Sequence, residues 1–272
     1  MIMGKIFKQF LLIVLIVLLY QACTVVPLTG RKQLNLVPES DMISMSLTSY
    51  SDFLKSNQLS KDKASTEMVH QVGKDISEAV TKYFTDNKIS DQLSGYQWEF
   101  NLVKNDTTVN AWCMPGGKVV VYSGLLPVTK DRNGLAVVLS HEIAHAVARH
   151  GNERMSQEML VQFGGIALNE AISKQPDQTK QIFNTSYGIG SQLGLLLPFS
   201  RQHELEADKL GLIFMAMAGY DPATAIPFWE RMASSGGAKP PELLSTHPSD
   251  VTRIDRIKAA LPEANKYYNK KK

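Results

Sequence analysis

The chain has 272 residues, 44% hydrophobic, 20% charged and 8% aromatic, with 29 Lys plus Arg against 26 Asp plus Glu for a formal charge of +3. These proportions describe a globular protein; they exclude a disordered tail, a collagen-like repeat, a polytopic membrane protein and a nucleic-acid-binding composition. At about 100–200 residues per domain, the body of the chain is read as one domain with a sizeable core.

Lys5 and Lys8 precede an unbroken apolar run from Phe10 to Tyr20, followed by Gln21, Ala22 and Cys23. The run is too short for a bilayer core that needs about 20 residues, yet it matches the apolar core of a signal peptide. Leu19-Tyr20-Gln21-Ala22-Cys23 resembles a bacterial lipoprotein signal, although Tyr20 stands where an aliphatic residue is usual. Residues 1–22 are therefore read as a lipoprotein-type signal peptide and Cys23 as the site of lipidation. The expected location is a bacterial cell envelope, anchored by lipid in the outer membrane and facing the periplasm. With Cys113 the only other cysteine, no disulfide framework is encoded.

Residues 23–40, with Pro27, Gly30 and Pro38, read as an extended arm. From Asp41 to about Asn87, Met42, Met45 and Leu47 and then Met68, Val72, Ile76 and Val80 recur at helical spacing, predicting two helices. Between Tyr96 and Tyr122 the pattern becomes β: residues 98–103, 109–114 and 118–122 predict about three strands, with turns at Asn105-Asp106 and Pro115-Gly116-Gly117. After Gly134 helical periodicity returns, broken at residues 175–178, at Pro198 and at 236–241, with Asp221-Pro222 a capped helix start. The fold class is α+β, mainly α. Lys270, Lys271 and Lys272 end a basic, solvated tail over 263–272.

One helix, predicted over about Asn133 to Met155, carries His141-Glu142-Ile143-Ala144-His145, an H-E-x-x-H motif. At about 100° per residue its two histidines stand roughly 40° apart on one face, so both imidazoles can ligate one ion. Glu142 lies beside that face, within reach of a metal-bound water. Val137, Val138, Leu139, Ile143, Ala144, Ala146 and Val147 make the helix apolar enough to be buried, and buried histidines and a carboxylate need partners to offset desolvation. A zinc ion would supply them. His150 is about 180° from His141 on the wheel and is read as a surface or outlying residue.

A catalytic zinc needs a third protein ligand and an open position. Ser200 is read as an N-cap of the next polar helix start, whose Glu204 and Asp208 share a face at i and i+4 while Glu206 points elsewhere. Glu204 on the metal and Asp208 behind a ligand histidine is one reading; acidic residues that favour a helix N-terminus are the other.

The ordered set of motifs resembles the M48 family of zinc metallopeptidases, its short bacterial lipoprotein members in particular. The resemblance runs from about Val26 to Leu261. It includes Pro27 to Leu34, Asn110-Ala111-Trp112-Cys113-Met114-Pro115-Gly116-Gly117, His141 to His145, Glu204 to Asp208, Gly219-Tyr220-Asp221-Pro222 and Ser245-Thr246-His247-Pro248. It implies a zincin-type (gluzincin) helical domain over 41–262 with the small sheet beside the active-site helix. It also implies one zinc per chain on His141, His145 and Glu204, with Glu142 as acid/base and Asp208 supporting the ligands. His247, followed by Arg253, is placed near the metal, either as an added ligand holding an inactive state or as an aid to the transition state.

In similar enzymes the strand Lys118 to Tyr122 borders the cleft and pairs with an extended substrate backbone. The expected function is hydrolysis of peptide bonds in misfolded or misassembled envelope proteins, with His247 or Arg253 stabilising the oxyanion. The rival expectation is a periplasmic chaperone or assembly factor for outer-membrane proteins with a latent zinc site. Gly164 to Leu197 would then serve as lid or client surface, against a plainer helical-hairpin core. The partners expected are extended protein or peptide substrates and a membrane reached through the lipid anchor, without nucleic acid.

Overall fold

The computed structural model describes residues 23–171, 173–174, 177–191, 196–234, 242–243, 247 and 252–268. The signal-peptide segment and the terminal lysines lie outside them. Backbone contacts divide the chain into two compact units, one taking the chain up to Glu39 together with Arg149–Ser200, the other Ser40–Ala148 with Arg201–Lys272.

In the first unit the arm expected to be extended is a hairpin: β1 (Cys23–Val25) pairs antiparallel with β2 (Lys32–Leu34), Cys23 opposite Leu34. The turn closes because Val26 N–H donates to Arg31 O at 2.8 Å and Gly30 N–H to Val26 O at 3.0 Å. Arg31 then forks onto Glu153 of α5 (His150–Ala171), Nη1 to Oε1 at 2.9 Å and Nη2 to Oε2 at 2.7 Å. Leu36 N–H donates to Ser156 Oγ, and Asn152 Nδ2 to Val37 O, each at 2.8 Å. These bonds satisfy a polar stripe that the fold buries, which includes Asn152, Glu153 and Ser156. His150 belongs to the same helix start and is 1% exposed, so it is not a surface residue. From Leu160 onward α5 pairs with α6 (Asp177–Ser191), where Tyr187 Oη donates to Val161 O at 2.8 Å. Among the described residues the segment is thus a hairpin but not core: Ile166 is 65% exposed, as is the preceding Phe163 at 57%.

The second unit is layered around a small sheet. α1 (Glu39–Ser56) buries Met42, Ile43, Ser46 and Tyr50 rather than the expected Met45 and Leu47, which are exposed. α2 (Lys63–Asp86) starts at Asp62, whose carboxylate accepts from Ala64 and Ser65 N–H, and buries Val69, Val72, Ile76, Val80 and Phe84. β3 (Glu99–Val103), β4 (Ala111–Met114) and β5 (Lys118–Tyr122) form a three-stranded sheet in the order β3-β5-β4, parallel between β3 and β5 and antiparallel between β4 and β5. One face packs on α1, with Trp112, Met114, Val103 and Val120 around Tyr50, Phe53 and Leu54. α2 lies against β3, and α4 (Arg132–Val147) against β4.

The order β3-β5-β4 corrects the reading of Lys118–Tyr122 as a cleft-lining edge: β5 is the central strand, and both of its edges are taken. The β4–β5 hairpin folds β5 inward between β4 and β3, a non-local pairing that three similar apolar runs do not specify.

α4 is buried on every side. Asp131 caps it by accepting from Gly134 N–H at 2.9 Å, and position 134 must be glycine because a Cβ there would lie 2.0 Å from Thr129 O. The single helix expected over 133–155 is two: Ala148 closes α4, Arg149 takes a left-handed φ of 57°, and α5 starts at His150. Arg149 carries no glycine-like signal, so apolar periodicity runs through the break unmarked. A short α3 (Leu126–Thr129) precedes α4. α7 (Leu197–Met217) begins three residues before Ser200, which is therefore in the first turn and not the N-cap. α8 (Ala225–Ser234) follows a turn capped by Asp221, and α9 (Arg253–Ala264) extends through a 3-10 turn to Tyr267, into the region expected to be tail.

Candidate metal centre

His141 and His145 project from α4 one turn apart, and their Nε2 atoms lie 3.1 Å from each other. Glu204 reaches them from α7, Oε2 at 3.3 Å from His141 Nε2 and Oε1 at 3.3 Å from His145 Nε2. His247 completes the group, its Nδ1 3.1 Å from Glu204 Oε1 and 3.3 Å from His141 Nε2. One donor atom from each of these four residues lies within 4.8 Å of every other. The His247 segment is held nearby by Leu243 N–H donating to Val109 O at 3.1 Å, by His247 N–H donating to Leu243 O at 2.9 Å and by Asn110 Nδ2 donating to Glu242 Oε1 at 3.2 Å.

Around the donors sits a supporting layer. Asp208, one turn beyond Glu204, places Oδ1 3.0 Å from His141 Nδ1, a contact that favours a proton on Nδ1 and leaves Nε2 facing the other donors. Arg253 Nη2 donates to the same Asp208 oxygen at 2.6 Å. Glu142 Oε1 lies 3.3 Å from His247 Nε2. Glu206, expected to point elsewhere, is nonetheless buried, as are His203 and Ala207.

The electrostatics follow from this crowding. Burial acts against ionisation of Asp208, but the Arg253 charge and the His141 contact outweigh it and hold the carboxyl below its usual range. Glu204 behaves likewise: burial opposes its charge, while His145, His141 and His247 pull its pKa far down. For His141, desolvation disfavours the cation, yet Asp208 and Glu204 together raise its pKa to about 9. Glu142 moves the other way, because burial raises its pKa and the lowering influence of His247 and His141 does not cancel it.

Whether the donors fit a metal is tested by spacing and by charge. Ligand bonds of about 2.0–2.1 Å to a tetrahedral centre put donor atoms roughly 3.3–3.4 Å apart; the five contacts given above run from 3.1 to 3.3 Å, and all four donors lie within 4.8 Å of one another. Two buried carboxylates, Glu142 and Glu204, and the partly buried Asp208 share one guanidinium, so further positive charge is needed, from protons on the imidazoles or from a divalent cation. Two or three imidazoles and one carboxylate suit zinc. The residues fit.

Every expected site residue except Cys23, which lies exposed in β1, is brought to this one place. Arg253 reaches Asp208 rather than the donors, which does not favour its expected part in oxyanion stabilisation. Sequence reasoning missed Trp229, whose ring stacks on Arg253, and Gly211, where α7 crosses α4. Neither stands in a motif; each acts through a tertiary contact.

A family model described as Peptidase family M48 matches residues 67–261. The chain is similar to the mitochondrial metalloendopeptidase OMA1 of Schizosaccharomyces pombe, 42% identical over 177 residues that cover 63% of this chain and 49% of that protein. It is 30% identical over 250 residues to the mitochondrial metalloendopeptidase OMA1 of Homo sapiens, covering 88% of this chain and 46% of that protein. To the beta-barrel assembly-enhancing protease of Escherichia coli it is 29% identical over 162 residues, 58% of this chain and 33% of that protein. The chain spans half or less of the length of these relatives.

These matches overturn the placement in a bacterial envelope, because the relatives matched at 42% identity and over 88% of the chain carry mitochondrial names. A short apolar run led by lysines reports hydrophobicity and charge, which several targeting routes share; it does not encode the compartment.

Proposed function

Because this chain belongs to peptidase family M48, we propose that it is a zinc-dependent metalloendopeptidase whose single zinc is held by His141, His145 and Glu204. The observation that carries the reading is the cluster of four donors, one atom of each within 4.8 Å of every other. When bound, the ion supplies Lewis-acid activation of water and of the scissile carbonyl.

The protein's own groups do the rest. Glu142, made more basic than an ordinary carboxylate by burial, accepts the proton of the attacking water and returns it to the leaving amine. Asp208 holds His141 in the tautomer that presents Nε2. His247 would add a fourth donor to these three, a latent resting arrangement from which cleavage requires its ring to withdraw. Arg253 acts through Asp208.

Extended segments of unfolded or misassembled proteins are the substrate class proposed. β4 supports this, since it pairs with β5 on one side, has no strand on its other side among the described residues, and packs on the helix that carries Glu142. Backbone pairing gives affinity with loose side-chain selectivity. A second reading, holding of client proteins, is favoured by the exposed Phe163 and Ile166.

Glu142→Gln separates them. The variant is expected to bind one zinc per chain and to lose roughly 10²–10⁴-fold in cleavage of unfolded casein; cleavage at the wild-type rate removes Glu142 as the base. Stripping zinc with a chelator is expected to abolish wild-type cleavage and lower the melting temperature. Suppression of client aggregation that survives both treatments would favour the second reading.

A further inference from the structure

Trp229 touches both ends of the series Arg253, Asp208 and His141. Its ring lies beneath the Arg253 guanidinium, whose central carbon is 3.4 Å from the ring centroid, and meets the His141 ring edge-on with centroids 6.1 Å apart. α8 presents Trp229 here because Ala225, Phe228, Trp229 and Met232 form its buried face, at the i, i+3, i+4, i+7 spacing of a helix stripe.

Arg253 and Trp229 are each 4% exposed. The guanidinium spends Nη2 on Asp208, while its Nε and Nη1 have no hydrogen-bond partner among the described residues. A buried cation is costly unless neighbouring groups compensate its charge. The indole face offsets part of that charge, and a stacked guanidinium is confined to one plane.

We propose that Trp229 is a positioning residue of the metal centre. It clamps the Arg253 guanidinium, Arg253 fixes Asp208, and Asp208 sets the tautomer and ring angle of His141, whose outer edge Trp229 also braces. The inference rests on the metallopeptidase reading and extends it to a residue outside the family's recognisable motifs.

The test titrates the full chain and three variants with zinc against a chromophoric chelator, and with cobalt(II), whose visible absorption reports ligand geometry. Trp229→Leu is expected to weaken zinc binding about 10–100-fold, the range for losing a group that orients a metal-ligating histidine, and to alter the cobalt spectrum. Trp229→Phe keeps an aromatic face and is expected to stay within about 3-fold of wild type. Arg253→Lys keeps the charge without the plane and is expected to lose about 10-fold.

Wild-type affinity and spectrum in Trp229→Leu overturn the inference, as does an equal loss in Trp229→Phe, which would make volume the cause. If Trp229→Leu does not fold, wild-type zinc affinity in Arg253→Lys overturns it instead. A wild-type chain that binds neither ion removes the metallopeptidase reading itself, a distinct failure.

Discussion

Gly211 of α7 presses its backbone against His141 of α4: a Cβ at position 211 would lie 3.0 Å from His141 N, 3.1 Å from its Cα and 3.2 Å from Ser140 C. Those are main-chain atoms of a fully buried helix, so neither side can swing away. The close crossing lets Glu204 and Asp208, on the turns before Gly211, reach the imidazole at 3.3 and 3.0 Å.

Gly211→Ala is therefore expected to push α7 off α4 by a few tenths of an ångström. Overpacking of this kind costs about 1–3 kcal/mol, and the donor spacing should widen with it. Urea denaturation should show the lost stability and chelator competition a several-fold weaker zinc affinity. Unchanged zinc binding would mean that the crossing does not set the site.

His247→Ala tests the latent arrangement. Removing one of four donors is expected to weaken zinc, yet at saturating zinc to raise cleavage of unfolded casein above wild type, because the fourth position opens. A fall in cleavage at saturating zinc would instead make His247 an aid to the transition state.

Glu99 gives a pH signature outside the donor cluster. Burial raises its pKa, but Lys118 Nζ at 3.1 Å, Tyr50 Oη at 3.0 Å and Asn101 Nδ2 at 3.0 Å reverse the balance and hold it below the usual value. A depressed carboxylate contributes stability that is present above its unfolded pKa of about 4.3 and is lost as pH falls through the folded value. Glu99 is 44% exposed, so solvent screening limits the contribution to about 1 kcal/mol or less. The melting-temperature gap between wild type and Glu99→Gln is expected at pH 7 and should close below about pH 4; a gap that widens in acid contradicts this.

What the amino-acid sequence determined by itself was local. His141 and His145 share a face because four residues make about one turn, and Glu204 and Asp208 share another for the same reason. Asp131 and Asp62 cap helices through bonds to residues two or three positions on, and the helix-sheet-helix order is legible from the change of period around Tyr96 and Gly134.

Tertiary structure decided everything that joins distant segments. β5 lies between β3 and β4, although the β-branched run in Lys118–Tyr122 suits an edge as well as a centre. Arg149 breaks a helix that periodicity would continue. Trp229 stacks on Arg253, and Gly211 admits a neighbouring backbone, through contacts whose partners lie far along the chain. Side-chain period is a property of one segment, whereas pairing, stacking and crossing depend on which buried surfaces meet when the whole unit closes.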